Sequence, residues 1–552
     1  MKSQSTSGLG TSYEGAARRG TRAWRRSLAT SGIVLLPILT GCMVGPDYQK
    51  PDAPVNDAWL SQTATATPTD AASVRWWESF KDPTLSALVQ KAYEQNLSIK
   101  SAGLRVIEAR ARRGIAVGRF FAQSQEVFGG IANRQLSYNA AGTGTETAFS
   151  DAQIGLQAAW ELDFWGKFRR GIEAADAELL ATVADYDAIV VSLVSDVAAN
   201  YILVRSLEER ILFARANAAL QAETLTLTQT RLKAGAVSEL DVSTARATLA
   251  NTQALVPQLE NDLQQTKLAL CVLLGQTPSQ LDAELSPPDG AARRLPEMSA
   301  QIVAGVPAEL LRRRPDVRVA ERLAAAQSAR IGQATADLYP SIAIAGSTGF
   351  ASSTFEGVRR PDLGNIFDGD SFAGFIGLQV NWPILNYGRV ENNIRAQDAQ
   401  YEQAVAAYRN TVLKAASDVE AGLSDFLRAK ERSGFLAEAV DASKRSAELS
   451  LIQYRAGAVD FIRVNNAQTA LVQQQDSLVV ARAAIALGAV RTYRSLGGGW
   501  EIREGHEFVD DATSKRMRER TDWGNVLNPD WDHGNDLGFK RPDGNETSGA
   551  EK

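Results

Sequence analysis

The sequence predicts a mainly α-helical fold with a small β part, built by internal duplication. Three observations carry that prediction: a repeat at constant offset, helical periodicity far longer than a globular helix, and short segments alternating with period two. Residues 160–275 align with residues 382–497 at an offset of 222 without a gap, and 28 of the 116 pairs are identical. Ala234-Gly235-Ala236-Val237 matches Ala456-Gly457-Ala458-Val459, and Ser195-Asp196-Val197 matches Ser417-Asp418-Val419. A weaker match at offset 218 extends each copy towards its N-terminus. The period exceeds that of any solenoid, so the unit is a duplicated half-domain. Its copies span 82–275 and 305–497, joined by a Pro-containing linker over 276–304.

Each half reads helix, strand, strand, long helix, turn, helix. Along the first long helix the apolar positions are Val183, Tyr186, Val190, Leu193, Val197, Tyr201 and Val204. In the second they are Val405, Tyr408, Val412, Ala415, Val419, Leu423 and Phe426. Steps of three and four give a narrow, coiled-coil-like seam. The pattern over 167–231 runs 65 residues, about 98 Å at 1.5 Å per residue. Such a rod cannot bury itself and must pack on a partner helix and on other subunits. The strands carry the other period: Ile154, Leu156, Ala158, Trp160 and Leu162, and again Ile376, Leu378, Val380, Trp382 and Ile384, alternate with polar or small residues. Segments 127–131 and 340–350 precede them. Alternation over about ten residues is the pattern of a lipid-facing barrel strand. Four strands cannot close a barrel and open edges are not tolerated in lipid, so several subunits must contribute.

The N-terminus reads as an export signal. Lys2, Arg18, Arg19, Arg22, Arg25 and Arg26 precede an apolar run over 32–39, too short to span a bilayer. Leu39-Thr40-Gly41-Cys42 then looks like a lipobox, which makes Cys42 the acylated mature N-terminus and 1–41 a lipoprotein signal peptide. A Pro-rich tether over 42–81 follows. The C-terminal segment 498–552 ends in an acidic stretch expected to be disordered in part.

Composition excludes much. The 552 residues carry a formal charge of −5, with two Cys and two His. No basic excess favours nucleic acid. Both His, His506 and His533, lie near the C-terminus, and the few Cys and His make a poor zinc site. No phosphate loop or nucleophile–base set is present, so neither an enzyme nor a cofactor or metal is expected. Cys271, the only Cys outside the lipobox, sits at a helical apolar position and is expected to be buried.

The two hairpin turns are the informative small motif. Gly235 and Gly457 supply the permissive backbone, and Ser238 and Asp460 are expected to cap the helices that follow. Asp241 and Arg463 are equivalent positions of opposite charge in the two repeats.

These residues together resemble the TolC/OprM family of outer-membrane efflux channels, in its NodT-type lipoprotein branch. The resemblance rests on 41–48 (Gly-Cys-Met-Val-Gly-Pro-Asp-Tyr), Trp76-Trp77, 160–166, 313–317, Trp382-Pro383-Ile384, Gly388 and 496–500, in that order. It implies a homotrimer with a twelve-stranded outer-membrane barrel above a periplasmic helical tunnel. It also implies a lipid-anchored subunit in the outer membrane. A periplasmic adaptor and an RND-type inner-membrane pump are the implied partners of a small-molecule efflux system. The turns Gly235, Ala236, Val237 and Ser238, and Gly457, Ala458, Val459 and Asp460, are by resemblance the adaptor contacts. Asn466 and Thr469 stand where the family often has a carboxylate and a base, so the usual ionic lock is in doubt, and Asp241 and Arg463 are the candidates for a substitute gate. The alternatives are the duct of a type I protein secretion system and a non-conducting structural lipoprotein.

Overall fold

The computed structural model describes residues 42–56, 58–60, 74–137, 139, 147–286, 294–296, 312–355, 358, 361–528 and 531. The expected signal peptide over 1–41, most of the loop over 137–148, much of the expected inter-repeat linker and the end of the acidic tail lie outside these residues.

The first repeat contains α1 (Pro83–Gln95), α2 (Leu97–Gly118), β1 (Ser124–Gln135), β2 (Ala148–Glu161), α3 (Lys167–Lys233) and α4 (Glu239–Leu273). The second contains α5 (Pro315–Ala336), β3 (Ser341–Ser353), β4 (Phe372–Asn381), α6 (Arg389–Arg455) and α7 (Phe461–Ser495). A short α8 (Asp511–Arg520) follows. In the long helices the duplication is kept to the residue: α3 and α6 are each 67 residues long, α4 and α7 each 35, and the boundaries of these four obey the offset of 222. Helices this long arise because both segments are rich in Ala, Leu, Gln, Glu and Arg and hold no proline. The strands extend beyond the expected segments, and Trp382 and Ile384 fall just past β4 rather than in it.

Chain packing separates two units. The first comprises 1–48, 113–175 and 326–401, and the second 49–112, 176–325 and 402–552.

The first unit holds one antiparallel sheet in the order β1-β2-β3-β4. It also seats the chain after Cys42. The Val44 amide donates to Trp165 O at 3.1 Å. Arg170, fully buried, donates to Val44 O (3.3 Å), Gly45 O (3.4 Å) and the Asp47 carboxylate (2.7 Å). Glu173 takes the remaining guanidinium contact at 2.7 Å. A buried arginine is tolerable only with such a full set of acceptors.

The second unit buries the seams read from the sequence; of those fourteen positions all but Val183 are buried. An 18-residue window of α3 has a mean hydropathy of 1.6, yet 61% of it is buried, so that apolarity serves the helical core. Trp76 lies at the centre with no exposed surface, stacked on Tyr493 at 5.5 Å. Asp82 caps α1 through the Thr84 and Leu85 amides and accepts from the Tyr201 hydroxyl at 2.6 Å. Asp187, fully buried on α3, faces Arg503 and, at 3.4 Å, Arg318. Burial pushes its carboxyl above the usual range, and the two guanidiniums oppose that shift. Cys271 is buried as expected, with its thiol 3.6 Å from Ser279 O. Just after residue 48 the chain has no regular secondary structure and is held by side chains of the second unit: Lys50 pairs with Glu321 at 2.5 Å, and Arg409 donates to Asp52 O at 3.1 Å.

Candidate functional site

Two places carry the functional argument, one in each unit. The sheet comes first. Directly paired residues in an antiparallel ladder point to one face, so the register assigns every side chain. One face carries Val127, Ile154, Leu156, Trp160, Ile344, Ile376, Leu378 and Val380. The other carries Glu126, Arg134, Asp151, Gln153, Gln157, Ser347 and Gln379. The polar face is internally bonded: Arg134 pairs with Asp151 at 2.5 Å, Gln157 donates to Glu126 at 2.7 Å, and Ser353 donates to Asp151 at 2.7 Å. On the apolar face Ile376 is 83% exposed, Ile131 78% and Val127 77%. A soluble subunit does not leave such a stripe in water, whereas a bilayer covers it. The expected alternation is therefore present on all four strands. The two outer strands, β1 and β4, each have one paired edge and one open edge within the chain.

The hairpin tips come next. At the first, Gly235 adopts φ +73°, its amide donates to Leu232 O, and the Ala236 amide donates to Arg231 O. At the second, Gly457 adopts φ +74°, with Tyr454 O and Gln453 O as the acceptors. These are two copies of the Schellman motif, and a Cβ at either left-handed glycine would strain it. Gly235, Ala236, Gly457 and Ala458 are exposed. Val237 and Val459 turn inward onto a shared cluster of Ala245, Tyr454, Phe461 and Val464. The structure thus brings the two tips together through one apolar core.

Their caps differ, which corrects the sequence reading. Ser238 closes a capping box: its hydroxyl accepts from the Asp241 amide (3.3 Å), while the Asp241 carboxylate accepts from the Ser238 amide (3.0 Å). Asp460 occupies the equivalent position but makes no side-chain cap. The partner position holds Arg463, a donor where the box needs an acceptor. Ser238→Ala should therefore cost about 1 kcal/mol, whereas Asp460→Ala should leave stability within about 0.5 kcal/mol. Urea denaturation of the two variants checks the asymmetry. Among the described residues no ion pair joins Asp241 and Arg463; the former is held by Ser238 and the latter is exposed, as are Asn466 and Thr469.

What links the hairpins was not visible in the sequence. Arg231 donates to Tyr454 O and lies 4.5 Å from the centre of the Tyr454 ring. Thr224 accepts from Gln468 (2.8 Å), Thr248 donates to Asn465 (2.6 Å), and Arg210 pairs with Asp476 (2.6 Å). Arg231 and Tyr454 occupy places where the repeats diverge, Arg-Leu at 231–232 against Gln-Tyr at 453–454, directly before the best-kept block. Since most aligned pairs differ, no sequence signal singles them out.

The family model described as outer membrane efflux protein matches residues 88–276 and 306–498. Nodulation protein T of Rhizobium leguminosarum bv. viciae is 30% identical over 86% of this chain and 94% of its own length. The pyoverdine export outer membrane protein OpmQ of Pseudomonas putida is 30% identical over 80% of this chain and 92% of its own. Among solved structures, the outer-membrane channel OprN superposes with a TM-score of 0.75 at 32% identity, covering 83% of this chain and all of that one. The Neisseria gonorrhoeae MtrE outer membrane channel in its open state gives 0.72 at 25%, covering 83% and 99%. The chain belongs to the outer membrane efflux protein family, and it is the outer-membrane channel component of an efflux system.

Proposed function

We propose that three copies of this chain form one closed duct that exports small molecules, fed by a periplasmic adaptor and an RND-type inner-membrane pump. The observation that carries this reading is the four-stranded sheet with one apolar face, one polar face and two open edges. Unpaired edges cost several kcal/mol per group in hydrocarbon. Closing β1 of one copy on β4 of the next removes them, and three copies give an even-numbered barrel of twelve strands. The polar face then lines the lumen. Small-molecule cargo is supported by the relatives, whose names refer to pyoverdine export and to solvent and toluene efflux.

Acylation of Cys42 fits the fold around it. Cys42 is exposed, and Arg170 fixes the chain from Val44 to Asp47 immediately after it. A lipid on Cys42 thereby has a fixed starting point. The exposed tip residues Gly235, Ala236, Ser238, Gly457, Ala458 and Asp460 serve as adaptor contacts, with Val237 and Val459 supporting them from beneath. Arg231 on Tyr454 ties the first hairpin to the second and is the contact we assign to closure. Asp241 supports it through the capping box, and Arg463 is left for a neighbouring copy.

Reconstitution in planar bilayers tests the reading. The purified protein should run as a trimer and pass ions in discrete steps; a monomer, or a trimer that never conducts, would refute it. The contact of Arg231 with the ring is worth about 0.5–2 kcal/mol. Arg231→Ala should therefore raise the open population about twofold to thirtyfold, and unchanged open probability would remove Arg231 from the gate.

A further inference from the structure

Within the second unit, α3, α4 and α7 line a half-open pocket of about 540 Å³ that neither the barrel nor the tips account for. That size lies inside the range of about 300–1,000 Å³ that suits a drug-sized ligand. Its floor holds Gln221, only 3% exposed, with neither Nε2 nor Oε1 hydrogen-bonded. A buried carboxamide with both ends unpaired is rare in folded proteins and calls for a partner. Two of its polar neighbours are already engaged. Asn217 commits its amide group to Phe213 O (2.9 Å) and Gln475 (2.7 Å), and Arg210 is held by Asp476 at 2.6 Å. That ion pair also neutralises Arg210. Asp262 on the rim has no cationic partner within salt-bridge distance among the described residues, which leaves one uncompensated negative charge. Phe213, Leu255, Leu259 and Val472 supply apolar walls.

The duplicated scaffold does not need this set. At the offset of 222, Gln221 corresponds to Ser443 and Asp262 to Ala484, so the second hairpin folds the same way without the amide or the acid. We infer that this cavity is a binding site for an amphipathic organic cation. The ligand's charge sits towards Asp262, a donor and acceptor meet the Gln221 carboxamide, and its apolar body lies on Phe213, Leu255 and Val472. Water alone would satisfy Gln221 but would leave those apolar walls wet and the acid uncompensated. The inference stands on the cavity and does not depend on trimer formation or conduction.

Ethidium suits the test, being a planar monocation with two aromatic amines. Titrated by fluorescence into the purified full-length protein in detergent, it should show one saturable site per chain. Asp262→Asn and Gln221→Leu should each weaken binding about tenfold. Absence of saturable binding, or unchanged affinity in Asp262→Asn with native circular dichroism, overturns the inference. Should Gln221→Leu misfold, Asp262→Asn carries the result, because that carboxylate is partly exposed and makes no contact the fold needs. Since no ion flow is measured, failure here is distinct from failure of the channel reading.

Discussion

Trp76→Ala is expected to destabilise the protein by about 3–5 kcal/mol, the range for deleting a fully buried aromatic side chain. Trp76 is unexposed and sits where three separate parts of the sequence meet. Its ring stacks on Tyr493 of α7, with the planes within 6°. Trp77 and Phe80, from its own short turn, meet it edge-on at 5.9 and 6.4 Å. A Cβ on Gly499 would lie 3.2 Å from its indole nitrogen, so the chain beyond α7 also closes on it. Alanine removes the whole junction, and Tyr493 cannot move in to fill the space freely because it is part of the 35-residue α7. One term opposes the loss: the buried indole N–H has no acceptor, so its removal relieves about 1–3 kcal/mol of unmet desolvation. Trp76→Phe, which keeps the stack and drops the N–H, should therefore cost much less than Trp76→Ala. Urea denaturation of both variants decides; a loss below about 1 kcal/mol for alanine would show that the junction is not cooperative with the rest.

The parts of this fold that were legible in the sequence are those with a period or a local motif. The long helices and their boundaries follow from the gapless offset, which allows an insertion nowhere between Lys167 and Leu273 without losing the match. The strands follow from parity, because a one-residue slip would turn Ile376 and Leu378 onto the polar face. The tip glycines follow from the repeated Ala-Gly-Ala-Val. What stayed hidden joins residues far apart and has no local signature. Arg170 and Val44 are 126 positions apart, and Arg231 and Tyr454 are 223 apart. The missing cap at Asp460 was hidden for another reason: the residue type is right, and only the structure shows that its carboxylate accepts from no helix N–H, while Arg463 removes the reciprocal half of the box. The Gln221 cavity was invisible because an isolated glutamine on a helix reads as a solvated face.

The second largest effect is expected from the glycines that distinguish the two hairpins. A Cβ at Gly422 on α6 would lie 2.8–3.0 Å from Thr492 atoms, two of them backbone, and one at Gly488 on α7 would lie 2.8–2.9 Å from the Phe426 backbone. The obstacles are main chain, so no rotamer change can relieve them, and α6 and α7 must separate. In the first hairpin the corresponding residues are Asn200 and Thr266, so α3 and α4 accommodate side chains at the positions where α6 and α7 have none. Copying them across, Gly422→Asn and Gly488→Thr should each cost about 1–3 kcal/mol by overpacking. The two sites lie one helical turn apart and face each other's helix, so the double variant should cost less than the sum: once the helices have parted for one side chain, the second meets less resistance. The reverse exchange separates this from a mere change in helix propensity. Asn200→Gly and Thr266→Gly create no clash and should cost no more than about 1 kcal/mol each. If Gly422→Asn proved as stable as the parent in urea, α6 and α7 would have to slide apart freely, and the hairpins would be interchangeable. If it is destabilised as expected, the two copies have diverged into a tighter and a looser pair of helices, and the looser pair is the one that contributes both α3 and α4 to the wall around Gln221.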